Sequence, residues 1–463
     1  MRWDIKLVLT AAWAAAGTCG YLIVPESAPF LLPLAVLAPL LWSPREGLAA
    51  RLWGRSLLAR VLAVASAYLL INASWSTDPT LAYIGVATFF VASAVLHIVI
   101  TTVSTLDREP VRAMAIGFFA GFVISAFLIS IEVVLKHPLH LQVFAAFPAL
   151  TPQVSGSVVE AGILKSLPSH FLNRHIAALT FLIWPALLIA STLASSSRAR
   201  IVLLTCLVPV IPAVFGSDHE SSKVALAGGV AAFCVLLLTP RLGKPLLAAA
   251  WILACVAVVP LAHIAYDRQL HKADWLQPSA QQRIVIWGVT SAKVAEAPLF
   301  GHGLVAARAL GRKEKESPKY EAGSPYMVST GPHAHNVYLQ VWFDSGLVGI
   351  ALMVSIGLFA LTAISRVARA HQPALYAAFA TGALMAASSF SIWTRWFLAS
   401  YALSAIFSVL ALKFAATARE DIAEEARPVV QHSPPNLTWP GAQATGDRDP
   451  PGNVQRTALR HSH

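Results

Sequence analysis

The stretch Leu81–Val103, LAYIGVATFFVASAVLHIVITTV, decides the fold of this chain. It contains no Asp, Glu, Lys or Arg, and only His97 and a few hydroxyls interrupt the apolar run. A bilayer core about 30 Å thick needs about 20 apolar residues in a helix, so this segment is long enough to cross one. Outward from it, the same criterion gives twelve candidate spans: Ile5–Val24, Ala28–Trp42, Leu57–Trp75, Leu81–Val103, Val111–Val134, His175–Ala194, Ile201–Phe215, Lys223–Thr239, Pro245–Tyr266, Val337–Ile364, Ala374–Trp393 and Trp396–Ala416. The second and seventh are short. The first is too long, and too poorly followed by a small-residue cleavage site, for a secretory signal peptide, so it is expected to stay as a helix.

Composition agrees. Of 463 residues, 56% are apolar and 12% charged, with a mean hydropathy of +0.63. Soluble chains carry about 25% charged residues, so disorder is excluded and a water-soluble enzyme disfavoured. The fold class expected is an all-α integral membrane protein of about twelve helices. Cys19, Cys206, Cys234 and Cys255 lie in apolar runs without metal-ligand spacing and read as small buried hydrophobes. The net charge of +11 comes from basic residues scattered between spans, which suits membrane lipid headgroups and not nucleic acid.

Basic residues also orient the chain. Arg45, Arg51 and Arg55, then Arg108 and Arg112, Arg198 and Arg200, Arg241 and Lys244, and Arg366 and Arg369 all fall in even-numbered loops. The short odd loops Pro25–Ser27 and Ser76–Thr80 carry none. Cytoplasmic loops carry the excess of Lys and Arg, so both termini are expected inside and the odd loops in the periplasm of a bacterial inner membrane. Residues 1–266 then hold spans one to nine with a periplasmic segment at 135–174. Residues 267–336 form a large periplasmic loop, 337–416 hold spans ten to twelve, and 417–463 read as a disordered, Pro-rich cytoplasmic tail. In the large loop, Gln281–Ala297 has Ile284, Trp287, Ser291, Val294 and Ala295 along one stripe and Gln282, Thr290, Lys293 and Glu296 opposite. That pattern predicts an amphipathic helix at the outer surface of the bundle. Gly311–Gly323 is charged and reads as a mobile stretch.

Polar groups gather at the outer helix ends. On a helix starting near His335, that residue shares a face with Tyr338, Leu339 and Trp342. An imidazole with a pKa near 6.5 can take a proton from a hydroxyl at neutral pH, although an isolated His335-Asn336 pair more often caps a helix. Asp344 is half a turn out of phase with His335. Arg283, on the loop helix, could grip phosphate oxygens bidentately or snorkel toward headgroups. Gly216–Lys223 (GSDHESSK) offers Lys223 and hydroxyls to an anion at a helix N-terminus. It also offers Asp218, His219 and Glu220 to a metal, though three adjacent residues cannot all face one ion from a regular helix. Arg174, after Asn173, and Arg395 add cationic groups on the same side. Asp447-Arg-Asp449 lies in the Pro-rich tail and is discounted.

Arg283-x-x-x-Trp287, then Ala297-Pro-Leu-Phe-Gly-His-Gly303, then His335-Asn336-x-x-Leu339 with Gly346-x-x-Gly349, resembles the signature region of the bacterial O-antigen ligase and polymerase superfamily. The resemblance covers Gln281–Ile350 by motif, and the span layout extends it over most of the chain. It implies a GT-C type membrane glycosyltransferase. Such a ligase moves polysaccharide from undecaprenyl diphosphate to a sugar hydroxyl of lipid A–core on the periplasmic side, with inversion and without nucleotide sugar, cofactor or metal. By the same resemblance His335 is the general base and Arg283 a diphosphate contact. Lys223, Arg174 and Arg395 are read as further diphosphate contacts, with Asn336, Tyr338, His219 and Trp287 in support. Family members often have Ser-Arg where this chain has Ser222-Lys223. The alternatives are an O-antigen polymerase or protein O-oligosaccharyltransferase of the same superfamily, and a secondary transporter. A transporter would be expected to show repeats and midplane charges, whereas Glu132 and Asp344 lie near outer ends.

Overall fold

The computed structural model describes residues 4–43, 57–151, 154, 156–160, 163–194, 196–307 and 333–425. It is an all-helical membrane protein with one small hairpin. Helices α1 (Ile5–Ile23), α2 (Ala28–Leu34), α3 (Leu37–Trp42), α4 (Leu57–Ala73), α5 (Pro79–Val103) and α6 (Arg108–Val134) form the first part. A short helix α7 (Pro138–Ala146) and strands β1 (Val158–Glu160) and β2 (Ile163–Ser166) follow. Then come α8 (Asn173–Leu193), α9 (Ser197–Thr205), α10 (Val210–Phe215), α11 (Glu220–Leu238), α12 (Gly243–Asp267) and α13 (Pro278–Val294). The chain continues with α14 (Val337–Ser365), α15 (Gln372–Ser388) and α16 (Arg395–Glu425). Among the described residues ten helical segments are long and apolar enough to cross a bilayer. With the shorter α4 and α15 they occupy all twelve predicted positions. Leu253, Val256, Leu261 and Ile264 of α12 are each more than half exposed. A row of bare aliphatic side chains on a helix is stable only where hydrocarbon covers it.

The two short predicted spans are broken helices. Pro33 and Pro39 interrupt Ala28–Trp42 at Ala35–Val36, because proline has no N–H and its ring crowds the preceding turn. Pro209 separates α9 from α10 in the same way. The charged stretch Gly311–Gly323 and most of the predicted tail lie outside the described residues. The tail prediction began too early, since α16 runs on past Ala416 to Glu425.

Helices α1 and α6 touch backbone to backbone. A methyl group on Gly117 would lie 2.1 Å from the carbonyl oxygen of Ala11, and one on Gly121 would lie 2.5 Å from that of Ala15. Small residues four apart permit such an approach where apolar burial supplies no drive between helices. Gly117→Val should therefore push α1 off α6 and cost about 1–3 kcal/mol. A fall of several degrees in the melting temperature of the detergent-purified protein is the expected result, and an unchanged melt would refute the contact.

The start of the 135–174 segment, expected only as a periplasmic stretch, is pinned by a buried carboxylate. Glu132 accepts the Leu139 N–H at 2.6 Å and pairs with His140. Phe171 packs edge-on against the His140 and His137 rings. The Nε2–H of His175 donates to the Ile23 carbonyl at 2.9 Å, tying α8 to the end of α1.

The Ala297–Gly303 motif folds into a kink of α14. Gly346 stands there at φ 59°, ψ −156°, and α14 bends. The Leu347 and Gly303 N–H groups donate to Pro298 and Asp344 carbonyls at 2.9 and 3.0 Å. A methyl group on Gly301 would lie 2.4 Å from the Asp344 backbone. From α4, the Asn72 amide donates to the Phe300 carbonyl at 2.9 Å and the Tyr68 hydroxyl to the Ser345 carbonyl at 2.7 Å. Fully buried Asp344 accepts the Trp393 indole N–H at 2.6 Å. Asp344 thus braces this junction and does not orient His335, as its helical phase predicted.

Candidate active site

Helix α13 begins at Pro278, three residues before the predicted start, with proline in the first turn where its missing N–H costs nothing. It does not lie loosely on the membrane surface. Its middle is buried, and Thr290, predicted on the polar side, is 2% exposed with its hydroxyl on the Ile286 carbonyl, while Gln282 and Glu296 on that side stay exposed. The reason is a tight neighbour. The Tyr266 ring of α12 occupies the space where a side chain on Gly288 would be, with its nearest atom 2.3 Å from the ideal Cβ. Arg283 and Trp287 lie one turn apart on α13. Trp287 donates its indole N–H to the Ala334 carbonyl at 2.8 Å. Arg283 lies near enough to His335 and His219 for its charge to act on both.

His335 is not on a helix, which corrects the predicted face shared with Tyr338 and Trp342. Asn336 is the N-cap of α14, its side-chain oxygen accepting the Leu339 N–H at 3.1 Å. His335 precedes it in the left-handed region at φ 52°, a conformation costly for a side chain with a Cβ and retained where surrounding contacts enforce it. Those contacts are the Trp287 bond to Ala334, the His335 N–H donating to His333 Nδ1 at 3.2 Å, and packing of the two imidazoles, tilted by 52° with centroids 4.0 Å apart. Tyr338 donates to the Ala383 carbonyl of α15 at 2.9 Å, so its hydroxyl braces the bundle.

The partner of His335 is a residue that sequence reading placed inside a span. Helix α15 ends at Ser388, five residues before the predicted end at Trp393. The released Ser389 carbonyl faces His335 Nδ1 at 3.2 Å. A carbonyl can only accept, so Nδ1 carries the proton and Nε2 keeps its lone pair. The Ser389 hydroxyl faces His219 Nε2 at 3.5 Å, while His219 Nδ1 meets the Ser222 hydroxyl at 2.7 Å. Ser221 donates to the Ser388 carbonyl at 2.7 Å and fixes the start of α11 against this turn. His335, Ser389, His219 and Ser222 form one chain of polar contacts, and the charge of Arg283 acts on both imidazoles.

Electrostatics sets the protonation states. Burial, and then the Arg283 charge, lower His335 to about 4 and His219 to about 3. Both rings are neutral at pH 7, so His335 can accept a proton. The acid limb of kcat/KM, which reports the free enzyme, should therefore fall near pH 4 and leave activity flat between about pH 5 and pH 7. Arg283→Gln removes one lowering influence and should move the limb of the residual activity upward toward 6.5, the ordinary imidazole value. A wild-type limb at 6.5 would remove His335 from the role.

The other predicted cations lie elsewhere. Lys223 donates to Glu220 at 2.8 Å on its own helix. His219 turns inward while Glu220 pairs with Lys223, so the Asp218-His219-Glu220 run offers an ion diverging side chains. Arg174 pairs with Glu26 and lines a pocket with Arg395 and Trp396. Phe390 separates that pocket from the histidines, stacking on His219 at 5.6 Å and meeting Trp396 edge-on at 4.8 Å.

Comparison with known proteins covers this same ground. Residues 205–354 match a family described as O-antigen ligase, a stretch that holds His219, Lys223, Arg283 and His335. A Rickettsia conorii protein named "Putative polysaccharide ligase" is 26% identical over 242 residues, 51% of this chain and 56% of that protein. Its like-named Rickettsia felis counterpart is 26% identical over 234 residues, 50% and 56% of the two chains. A third, from Rickettsia bellii, is 29% identical over 124 residues, 27% and 30%. The chain spans little more than half the length of the first two curated relatives it matches.

Proposed function

We propose that this chain, a member of the O-antigen ligase superfamily through residues 205–354, transfers polysaccharide from undecaprenyl diphosphate to a sugar hydroxyl of lipid A–core. The reaction is placed at the periplasmic face of the inner membrane. The observation that carries the reading is a neutral His335 with its Nδ1 on the Ser389 carbonyl, which leaves the Nε2 lone pair available within the influence of the Arg283 charge. In the reaction, Nε2 takes the acceptor hydroxyl proton as the oxygen attacks the anomeric carbon. The bond from that carbon to the phosphate oxygen breaks, its electron pair leaves with the diphosphate, and the anomeric centre inverts. Lipid diphosphate is already a good leaving group, so the protein must mainly neutralise charge and remove a proton. Arrival of the diphosphate at Arg283 also offsets the charge that weakens His335, so basicity rises when donor is bound.

Lipid-linked polysaccharide donor and truncated core acceptor, incubated with the reconstituted protein, test this reading. Transfer should persist in EDTA. Loss in EDTA with recovery on adding Mg²⁺ or Mn²⁺ would overturn the metal-free mechanism.

A further inference from the structure

Beyond the end of α6 the chain leaves its membrane span but stays apolar. From Val133 to Val159 the sequence has no Asp or Glu, and Lys136 is its only Lys or Arg. Helix α7, within this stretch, has two apolar faces. One is turned inward, where His140 pairs with the buried Glu132 and Phe144 meets Phe171 edge-on with centroids 6.3 Å apart. The other holds Leu139 and Val143, one turn apart and both exposed. Past the end of the helix the chain continues with Phe147 and Leu150, which are 61% and 62% exposed. Strand β2 packs against α7 with Leu164 buried, and Val158, Val159 and Ile163 of the hairpin are exposed as well.

The outward face cannot roll under. Glu132 accepts the Leu139 N–H at 2.6 Å and holds His140, so the inward face is fixed. Lys136 and His137 turn the chain out of α6 in the left-handed region, at φ 57° and 69°, a pair of conformations kept only where such contacts enforce them. An apolar face held outward marks a contact with a membrane or a protein. Three observations favour the membrane. The face begins where the lipid-facing side of α6 ends, with Phe127 and Val134, two turns apart, each more than half exposed. Its one strong charge is the exposed Lys136, whose long stem lets the ammonium reach headgroup phosphates, and the lack of acids suits an anionic surface. The face is also small, since α7 has nine residues, whereas a stable protein interface engages about 20–30 residues a side.

We propose that α7 and the turn Pro148–Leu150 lie in the bilayer surface at the outer end of α6, with Leu139, Val143, Phe147 and Leu150 buried about 5–10 Å into the boundary between headgroups and acyl chains. The interfacial helix that periodicity placed at Gln281–Ala297 is supplied by α7 instead. The proposal does not depend on the reaction that the protein catalyses.

Spin labelling of the purified full chain, in nanodiscs of phosphatidylethanolamine and phosphatidylglycerol, tests the placement. Val143→Cys, Phe147→Cys and Leu150→Cys are made singly in a chain whose Cys19, Cys206, Cys234 and Cys255 are replaced by Ala, and each carries a nitroxide. Collisions with oxygen, which concentrates in the bilayer, are compared with collisions with a water-soluble nickel chelate. All three labels should meet oxygen more often than nickel, at a depth of about 5–10 Å. If the cysteine-free chain does not fold, a benzoylphenylalanine at position 147 of the otherwise native chain gives the second measurement, and on irradiation it should crosslink to phospholipid. Labels that meet nickel more often would put the face in water and overturn the proposal. Labels shielded from both reagents, or a crosslink between two copies of the chain, would overturn it in favour of a protein contact.

Discussion

His335→Ala should give a folded, membrane-inserted protein whose polysaccharide transfer falls by about 10²–10⁴-fold, the usual contribution of a general base. The imidazole is neutral, and its Nδ1 proton is committed to the Ser389 carbonyl, so Nε2 is the atom that can receive the acceptor proton. His335→Gln keeps a hydrogen-bonding group but cannot take that proton, and it should fail nearly as badly. His333→Ala should be milder. His333 supports the left-handed backbone of His335 through a 3.2 Å bond and a tilted ring contact, so its loss loosens the base without removing it. Membranes containing lipid-linked donor and truncated core acceptor, with expression checked by blot, provide the assay. Near-normal transfer by His335→Ala would end the mechanism, and a severe defect confined to His333→Ala would move the base two residues upstream.

The second large effect belongs to Arg283. Its charge is felt by both imidazoles, and there a bidentate contact to the departing diphosphate would strengthen as negative charge develops. Arg283→Ala should cost about 2–4 kcal/mol of transition-state stabilisation, read as a fall in kcat/KM. Arg283→Lys should recover only part of this, because an ammonium keeps the charge without the planar fork. Full activity in Arg283→Lys would reduce the role to simple charge, and full activity in Arg283→Ala would abolish it.

Helices were readable because bilayer thickness demands long apolar runs, and Leu81–Val103 needs no tertiary information to be recognised. Their breaks were readable in principle from Pro33, Pro39 and Pro209. The turn that meets His335 was not. Phe390, Ile392 and Trp393 are as apolar as a membrane helix, so hydropathy carried the predicted span across Ser389, the residue whose carbonyl sets the His335 tautomer. His335 and Arg283 could be picked out by residue type and motif spacing, but the left-handed backbone at His335 depends on Trp287 and His333, contacts with no period in the sequence. Arg174 and Arg395 were grouped with Arg283 because all were expected at one membrane face. The aromatic partition of Phe390 and Trp396 between them belongs to tertiary packing alone. Glu132 could be seen only as an acid near a helix end, since its partners His140 and Leu139 follow a turn that periodicity does not describe.

The lipopolysaccharide gel pattern of a strain lacking this protein is the most direct measurement of polysaccharide transfer to lipid A–core. Loss of the whole O-antigen ladder, with polymer accumulating on the lipid carrier and return of the ladder when the wild-type chain is restored, is the expected result. Retention of core bearing a single repeat would contradict it and make the chain a polymerase.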